Sequence, residues 1–168
     1  MMHQRPMTYL LLAVTALTGL AGCGYSTTRP FRTDIHSIHV EMFHSRVFRR
    51  ELEFRLTEAI IKRIEMDTPY RVESRQRADT LLSGEIVAVQ NRSLGDDFDL
   101  DLPREIGSSV VVRFRWQDMR TGEILLERPR FVYQTSYIPP VGETFSDGMM
   151  RALEGIAEEI VEAMEADW

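Results

Sequence analysis

The chain has one cysteine among its 168 residues, Cys23. Without a second thiol there is no internal disulfide, so a folded domain must be held together by its core alone. No Cys/His set has the spacing of a zinc site, and neither a P-loop nor a dinucleotide-binding glycine fingerprint occurs. Positive charge is also short, with a formal net charge of −6. An acidic balance argues against nucleic acid as a partner, since nucleic acid requires a basic face. There is no internal repeat and no coiled-coil heptad. The apolar run from Met7 to Leu20 is shorter than the roughly 20 residues that span a bilayer.

That apolar run still carries information. It follows a polar stretch, Met1 to Pro6, whose single fixed positive charge is Arg5, and small residues come after it. This is the order of a secretory signal. It ends on Leu20-Ala21-Gly22-Cys23, which resembles the lipobox of bacterial lipoproteins. The resemblance implies cleavage before Cys23, a diacylglycerol on the thiol and a third acyl chain on the new amino group. Each acyl CH2 buried in a bilayer contributes about 0.8 kcal/mol, and stable anchoring takes more than one chain. The alternative is cleavage by the ordinary signal peptidase, with Gly19 and Ala21 at the small positions. Either cut removes Arg5 and takes the charge from −6 to −7. The division expected is a signal peptide over 1–22, a mobile tether over 23–33 rich in Gly, Ser, Thr, Pro and Arg, and one domain over 34–168.

Within that domain the periodicity changes several times. Ile35 to Phe43 reads as a strand, with Ile38, Val40 and Met42 alternating against Ser37, His39 and Glu41. Val47 to Met66 has helical period, placing Phe48, Leu52, Leu56, Ala59, Ile60 and Ile64 on one face, and Ser45 is the expected N-cap. Asp67-Thr68-Pro69 ends that helix. Tyr70 to Glu73 is a short strand, and Leu81 to Gln90 is a longer one interrupted only by Gly84. Asn91 to Gly107 is acidic and aperiodic, and is expected to be a long loop. Ser109 to Asp118 alternates clearly, with Val110, Val112, Phe114 and Trp116 on one side and Val111, Arg113, Arg115 and Gln117 on the other. A turn at Met119-Arg120-Thr121-Gly122 leads to a partner strand, Glu123 to Tyr137, in which Pro129 implies a bulge or an edge position. Thr144 and Asp147 resemble a capping box opening a last helix from Phe145 to about Ala166. Its stripe is Phe145, Met149, Leu153, Ile156, Ile160 and Met164, and its outer face is acidic. The fold class expected is α+β. It is a two-layer sandwich with two amphipathic helices on one face of a four- to five-stranded, mostly antiparallel or mixed sheet.

No local pattern points to catalysis or to a cofactor. His36, His39 and His44 lie close in sequence, but residues three apart on a strand face opposite ways, so His36 and His39 cannot share a metal. Asp96, Asp97, Asp99 and Asp101 lack the glycine and the bidentate glutamate of a calcium loop. Ser108 and Ser109 have no nucleophile elbow. Arg113 and Arg115 project from one sheet face and form the one candidate ligand-binding pair, able to grip a phosphate; the competing account is a solvated sheet face.

Several segments together resemble the LptE family of LPS-assembly lipoproteins. They are Cys23-Gly24-Tyr25, the strand Ile35 to Phe43, the helix segments Leu52-Glu53 and Leu56-Thr57-Glu58-Ala59, Ala78-Asp79 leading into Leu82-Ser83-Gly84-Glu85-Ile86, and Asp118 with Thr121-Gly122-Glu123. The resemblance implies a non-enzymatic lipoprotein of the outer membrane, facing the periplasm and anchored through Cys23. It further implies a plug inside the β-barrel LptD, a role in folding that barrel, and help in delivering lipopolysaccharide to the outer leaflet. None of the family's ligand residues maps onto this chain. Two other classes stay open. One is an envelope lipoprotein acting as a binding module or scaffold in a different outer-membrane complex, which co-purification would separate from the first. The other is a lipid-anchored enzyme, which would need a cleft of convergent titratable groups.

Overall fold

The computed structural model describes residues 31–47, 51–97, 102–139 and 142–165, with 95–97 and 102–104 described by their backbone alone. The elements in chain order are β1 (Ser37–Val40), β2 (His44–Ser45), α1 (Leu52–Asp67), β3 (Arg71–Val72), β4 (Thr80–Asp97), β5 (Leu102–Asp118), β6 (Ile124–Tyr137) and α2 (Phe145–Glu162). They form one mixed sheet in the order β3-β1-β4-β5-β6, with β2 also paired to β4. β1 runs parallel to both β3 and β4, and β2 runs parallel to β4, while β4, β5 and β6 form an antiparallel meander. Two helices on a mixed sheet make this the α+β fold that the hydrophobic periods predict.

The core lies between the sheet and both helices. Val110, Val112, Phe114 and Trp116 of β5 are all buried, as their alternation predicts. Leu82 and Ile86 of β4 continue this layer, and Leu56, Ile60 and Ile64 of α1 meet it with Leu153, Ile156 and Ile160 of α2. Helix α2 opens with the expected capping box. The Thr144 hydroxyl accepts from the Asp147 N–H, and the Asp147 carboxylate accepts from the Thr144 N–H. Its stripe rests on β6 through two glycines. A Cβ at Gly155 would lie 2.1 Å from the Tyr133 hydroxyl oxygen, and one at Gly148 would lie 2.9 Å from the Tyr137 ring, so both tyrosines occupy notches in the helix.

Three expectations change. The first strand is split, because Glu41 to Phe43 leave the ladder and β2 rejoins β4 at Glu85 and Ile86. Helix α1 starts at Leu52, not Val47. Ser45 lies in β2, where its hydroxyl accepts from the Val47 N–H, and the helix is entered instead through Glu51 in the left-handed region at φ 76° with no side-chain cap. The expected helical residues Phe48 and Arg49 lie outside the described residues. The largest correction is at 91–97 and 102–107, expected as parts of a long loop, which are strand, while 98–101 lie outside the described residues. β4 and β5 continue as a paired ribbon past Asn91↔Ser108 to Asp97↔Leu102, with irregular register around Gly95. Residues 91–94 are exposed and 105–107 half-buried, so these stretches lack the one-sided burial that makes a strand visible as alternation.

Candidate functional site: the open face of the sheet

Both helices lie on one side of the sheet, and among the described residues no element covers the other side. Its middle is built by alternate residues of three neighbouring strands. Arg115 sits across from Glu127, and Arg113 across from Glu85, in the antiparallel registers of β4, β5 and β6. The Arg115 guanidinium donates twice to Glu127 Oε1, from Nε at 2.9 Å and from Nη2 at 2.6 Å. Glu85 takes two partners at once, Arg46 through Nε and Arg113 through Nη2. Its side chain is 14% exposed. Burial works against its charge, but Arg46 and Arg113 outweigh this and hold its carboxyl below the usual glutamate range. Nearby, Arg75 donates to Glu41 at 2.6 Å. Glu41, Glu85, Arg113, Arg115 and Glu127 line a shallow basin of about 590 Å³, together with His44, Ser83, Arg128 and Pro129.

Arg113 and Arg115 therefore share the open face, as their spacing predicts, and each is already engaged by a carboxylate. The partners were not legible from the local pattern. Glu85 lies 28 positions from Arg113 and meets it only through the β4–β5 register. A signal existed in Ser83 and Glu85, polar residues alternating with buried Leu82 and Ile86.

The other candidate residues do not converge. His36 and His44 are exposed, and His39 Nδ1 lies 3.0 Å from the Glu73 carbonyl oxygen. Among the described residues, no group of three His, Cys, Asp or Glu side chains is placed to hold a metal ion. Ser108 is buried, and its hydroxyl donates to Asn91 Oδ1 at 3.0 Å. Asp96 and Asp97 lie on the backbone of β4, while Asp99 and Asp101 fall outside the described residues, as does Cys23.

The segments that carry the family resemblance have structural roles here. Asp79 Oδ2 accepts from the His36 N–H, the Ser37 N–H and the Ser37 hydroxyl, all within 3.0–3.1 Å, and so fixes the start of β1. Those bonds, led by the His36 N–H, hold its carboxyl below the usual aspartate range. Asp118 closes the β5–β6 turn by accepting from the Thr121 N–H, the Arg120 side chain and the Arg120 N–H, and its carboxyl is lowered in the same way. Gly122 takes φ 76° in that turn, a region open to glycine. Thr57 Oγ1 accepts from the Phe43 N–H at 3.0 Å and donates to the Glu53 carbonyl at 2.7 Å, tying α1 to the chain between β1 and β2.

Comparison with known proteins adds a family. No curated protein sequence matches the chain. Among solved structures, a PelC dodecamer from Paraburkholderia phytofirmans is similar at a TM-score of 0.56 and 12% identity, over 83% of this chain and 96% of that one. A hypothetical protein from Chlamydia trachomatis is similar at 0.54 and 13%, over 75% and 93%. The rare lipoprotein B from Shewanella oneidensis is similar at 0.51 and 12%, over 77% and 93%. Identities this low establish a shared fold and nothing more. The sequence model of the LptE family, described as lipopolysaccharide-assembly, matches residues 35–166. That match runs from the residues leading into β1 to beyond the end of α2, and the chain belongs to the LptE family.

Proposed function

We propose that this protein is a lipoprotein of the outer membrane, anchored through Cys23 with its domain on the periplasmic side, and that it assists assembly of an LptD-like β-barrel that delivers lipopolysaccharide to the outer leaflet. The observation that carries this reading is the family match over 35–166. The geometry is compatible with the plug role that the family implies. Barrel interiors are typically polar. A domain whose open sheet face is a set of arginine–carboxylate pairs can enter such a lumen without burying an apolar patch. In this reading the protein acts by contact and performs no chemistry. The open face and the β4–β5 ribbon meet the barrel, and no residue of this chain is assigned as a lipopolysaccharide ligand.

The test is a pull-down of the full lipidated chain from detergent-solubilised envelope, combined with photo-crosslinkers at Arg115, Asp97 and Glu158. The expected result is a large β-barrel protein in the pull-down, crosslinked from Arg115 and Asp97 and less from Glu158 on the helical side. Recovery of soluble periplasmic proteins alone would overturn the reading in favour of a scaffold in another envelope complex.

A further inference from the structure

β6 is the last strand on its side of the sheet, and no described strand pairs with its far edge. Along a strand the N–H and C=O of one residue point to the same edge, and successive residues alternate between edges. Val132, Gln134, Ser136 and Ile138 therefore share one edge. Two backbone groups of this set are taken by side chains from the chain beyond β6. The Arg151 guanidinium donates to the Ser136 carbonyl oxygen at 2.9 Å, and the Ile138 N–H donates to Glu143 Oε2 at 2.8 Å. Side chains from outside the sheet reach these groups on the edge that β5 does not occupy. Arg151 is placed for this by α2, where it lies between Gly148 and Gly155, the two positions seated on Tyr137 and Tyr133 of β6. Arg151 also donates to Glu143, from Nη1 to Oε1 at 3.1 Å and from Nη2 to Oε2 at 3.3 Å. The ion pair and the two backbone bonds form one closed clasp over the end of β6.

The edge needs closing. From Phe131 to Ile138 there is no charged side chain. An uncharged edge with open backbone groups is a template for another strand, and natural sheets block such edges with charge, proline or a bulge. One end of this stretch has a bulge, where Pro129 and Arg130 fall between the pairs Arg128↔Phe114 and Phe131↔Val112. The clasp closes the other end. We infer that the Glu143–Arg151 clasp keeps β6 from pairing antiparallel with β6 of a second copy of this chain. A second copy is the occupant the edge fits. Two identical strands can meet about a two-fold axis at Gln134, with Val132 of each copy against Ser136 of the other. The two Gln134 side-chain amides then face each other, and no charge in the run repels its own copy, although the chain as a whole is at −6. With the clasp shut, Ser136 is engaged in both copies, so the one clasp per chain blocks both ends of the pairing. Only Gln134 is left, against about five to six residues in a typical strand. With the clasp open, the pairing runs from Val132 to Ser136.

The experiment compares the full lipidated chain with the double variant Glu143→Ala/Arg151→Ala in detergent micelles, by sedimentation velocity. The double variant should raise the dimer fraction about tenfold over the wild type at equal concentration. In a mixture of isotopically light and heavy variant, a photo-crosslinker at Gln134 should join a light β6 peptide to a heavy one. In samples without the crosslinker, adding Gln134→Pro removes an edge N–H and should return the variant to a single copy. Melting curves are measured alongside, and should the double variant fail to fold, Arg151→Ala, which frees Ser136 alone, takes its place. A variant that stays as single as the wild type overturns the inference, as does a wild type that dimerises through β6 to the same extent. Dimers that survive Gln134→Pro, or whose crosslinks fall outside β6, also overturn it. The barrel reading stands or falls on its own pull-down.

Discussion

Asp79 acts as a single-residue clamp, since one carboxylate oxygen gathers two backbone N–H groups and a hydroxyl at the start of β1. Its carboxyl is held below the ordinary aspartate value of 3.8, led by the His36 N–H. A group whose folded pKa is depressed contributes stability that is present above the unfolded pKa and fades as pH falls toward the folded one. The wild-type protein should therefore lose stability on acidification from about pH 5 downward. Asp79→Asn should be less stable at neutral pH and should show a flatter acid limb in urea melts; an unchanged acid limb would exclude Asp79 from that dependence. Gly84 makes a different kind of demand. An added Cβ would lie 2.2 Å from Phe43 Cε1 and 2.8 Å from the Arg113 carbonyl oxygen. Gly84→Ala should cost on the order of 1–3 kcal/mol through overpacking. Combining it with Phe43→Leu should cost less than the sum of the two single changes, because the ring is the obstacle. Denaturant midpoints of the four proteins measure this. In sequence Gly84 is an interruption of a strand, and only the ring over it shows why it is there.

At the scale of elements, legibility followed burial. The alternation of Val110, Val112, Phe114 and Trp116 was readable because one face of β5 enters a core and the other does not. Truncating Phe114 or Trp116 to Ala should cost about 3–5 kcal/mol. Arg113→Ala should cost far less, since its partner Glu85 keeps Arg46 and exposed pairs contribute little. Comparable losses from both substitutions, by chemical denaturation, would mean that the two faces of the strand are not energetically distinct. The ribbon of β4 and β5 beyond Asn91 was illegible for the same reason. Asp96, Asp97 and Pro103 carry no one-sided apolar pattern, so its strands rest on backbone hydrogen bonds that no side chain advertises. The start of α1 was misplaced because Ser45 is a good cap by type, whereas the chain uses it in a short strand and enters the helix through Glu51. Gly148 and Gly155 weaken α2 as an isolated helix, but they are the notches that let Tyr133 and Tyr137 reach it. Such pairings join residues distant in sequence and leave no local trace.

At the scale of the whole molecule, the chain is tied down from its first described residue, Phe31. Phe31 packs edge-on against Tyr70, with ring centres 5.6 Å apart, and Tyr70 packs in turn on Trp116. The Arg32 N–H donates to the Tyr70 hydroxyl at 3.0 Å. Cys23→Ala should release the protein from the membrane fraction or leave it unprocessed, read by fractionation and intact mass. An unmodified N-terminus on the mature wild-type chain would exclude the anchor. The docking of Phe31 on Tyr70 has a consequence for association. Only residues 24–30 separate Cys23 from a side chain fixed to the fold, a span of at most about 27 Å when fully extended. With acyl chains on Cys23, the domain samples a thin layer under the bilayer, and its effective concentration toward a neighbour in the same membrane is on the order of millimolar. Individually weak ion pairs are then enough to hold a complex together, and a soluble fragment lacking Cys23 would understate that strength by orders of magnitude.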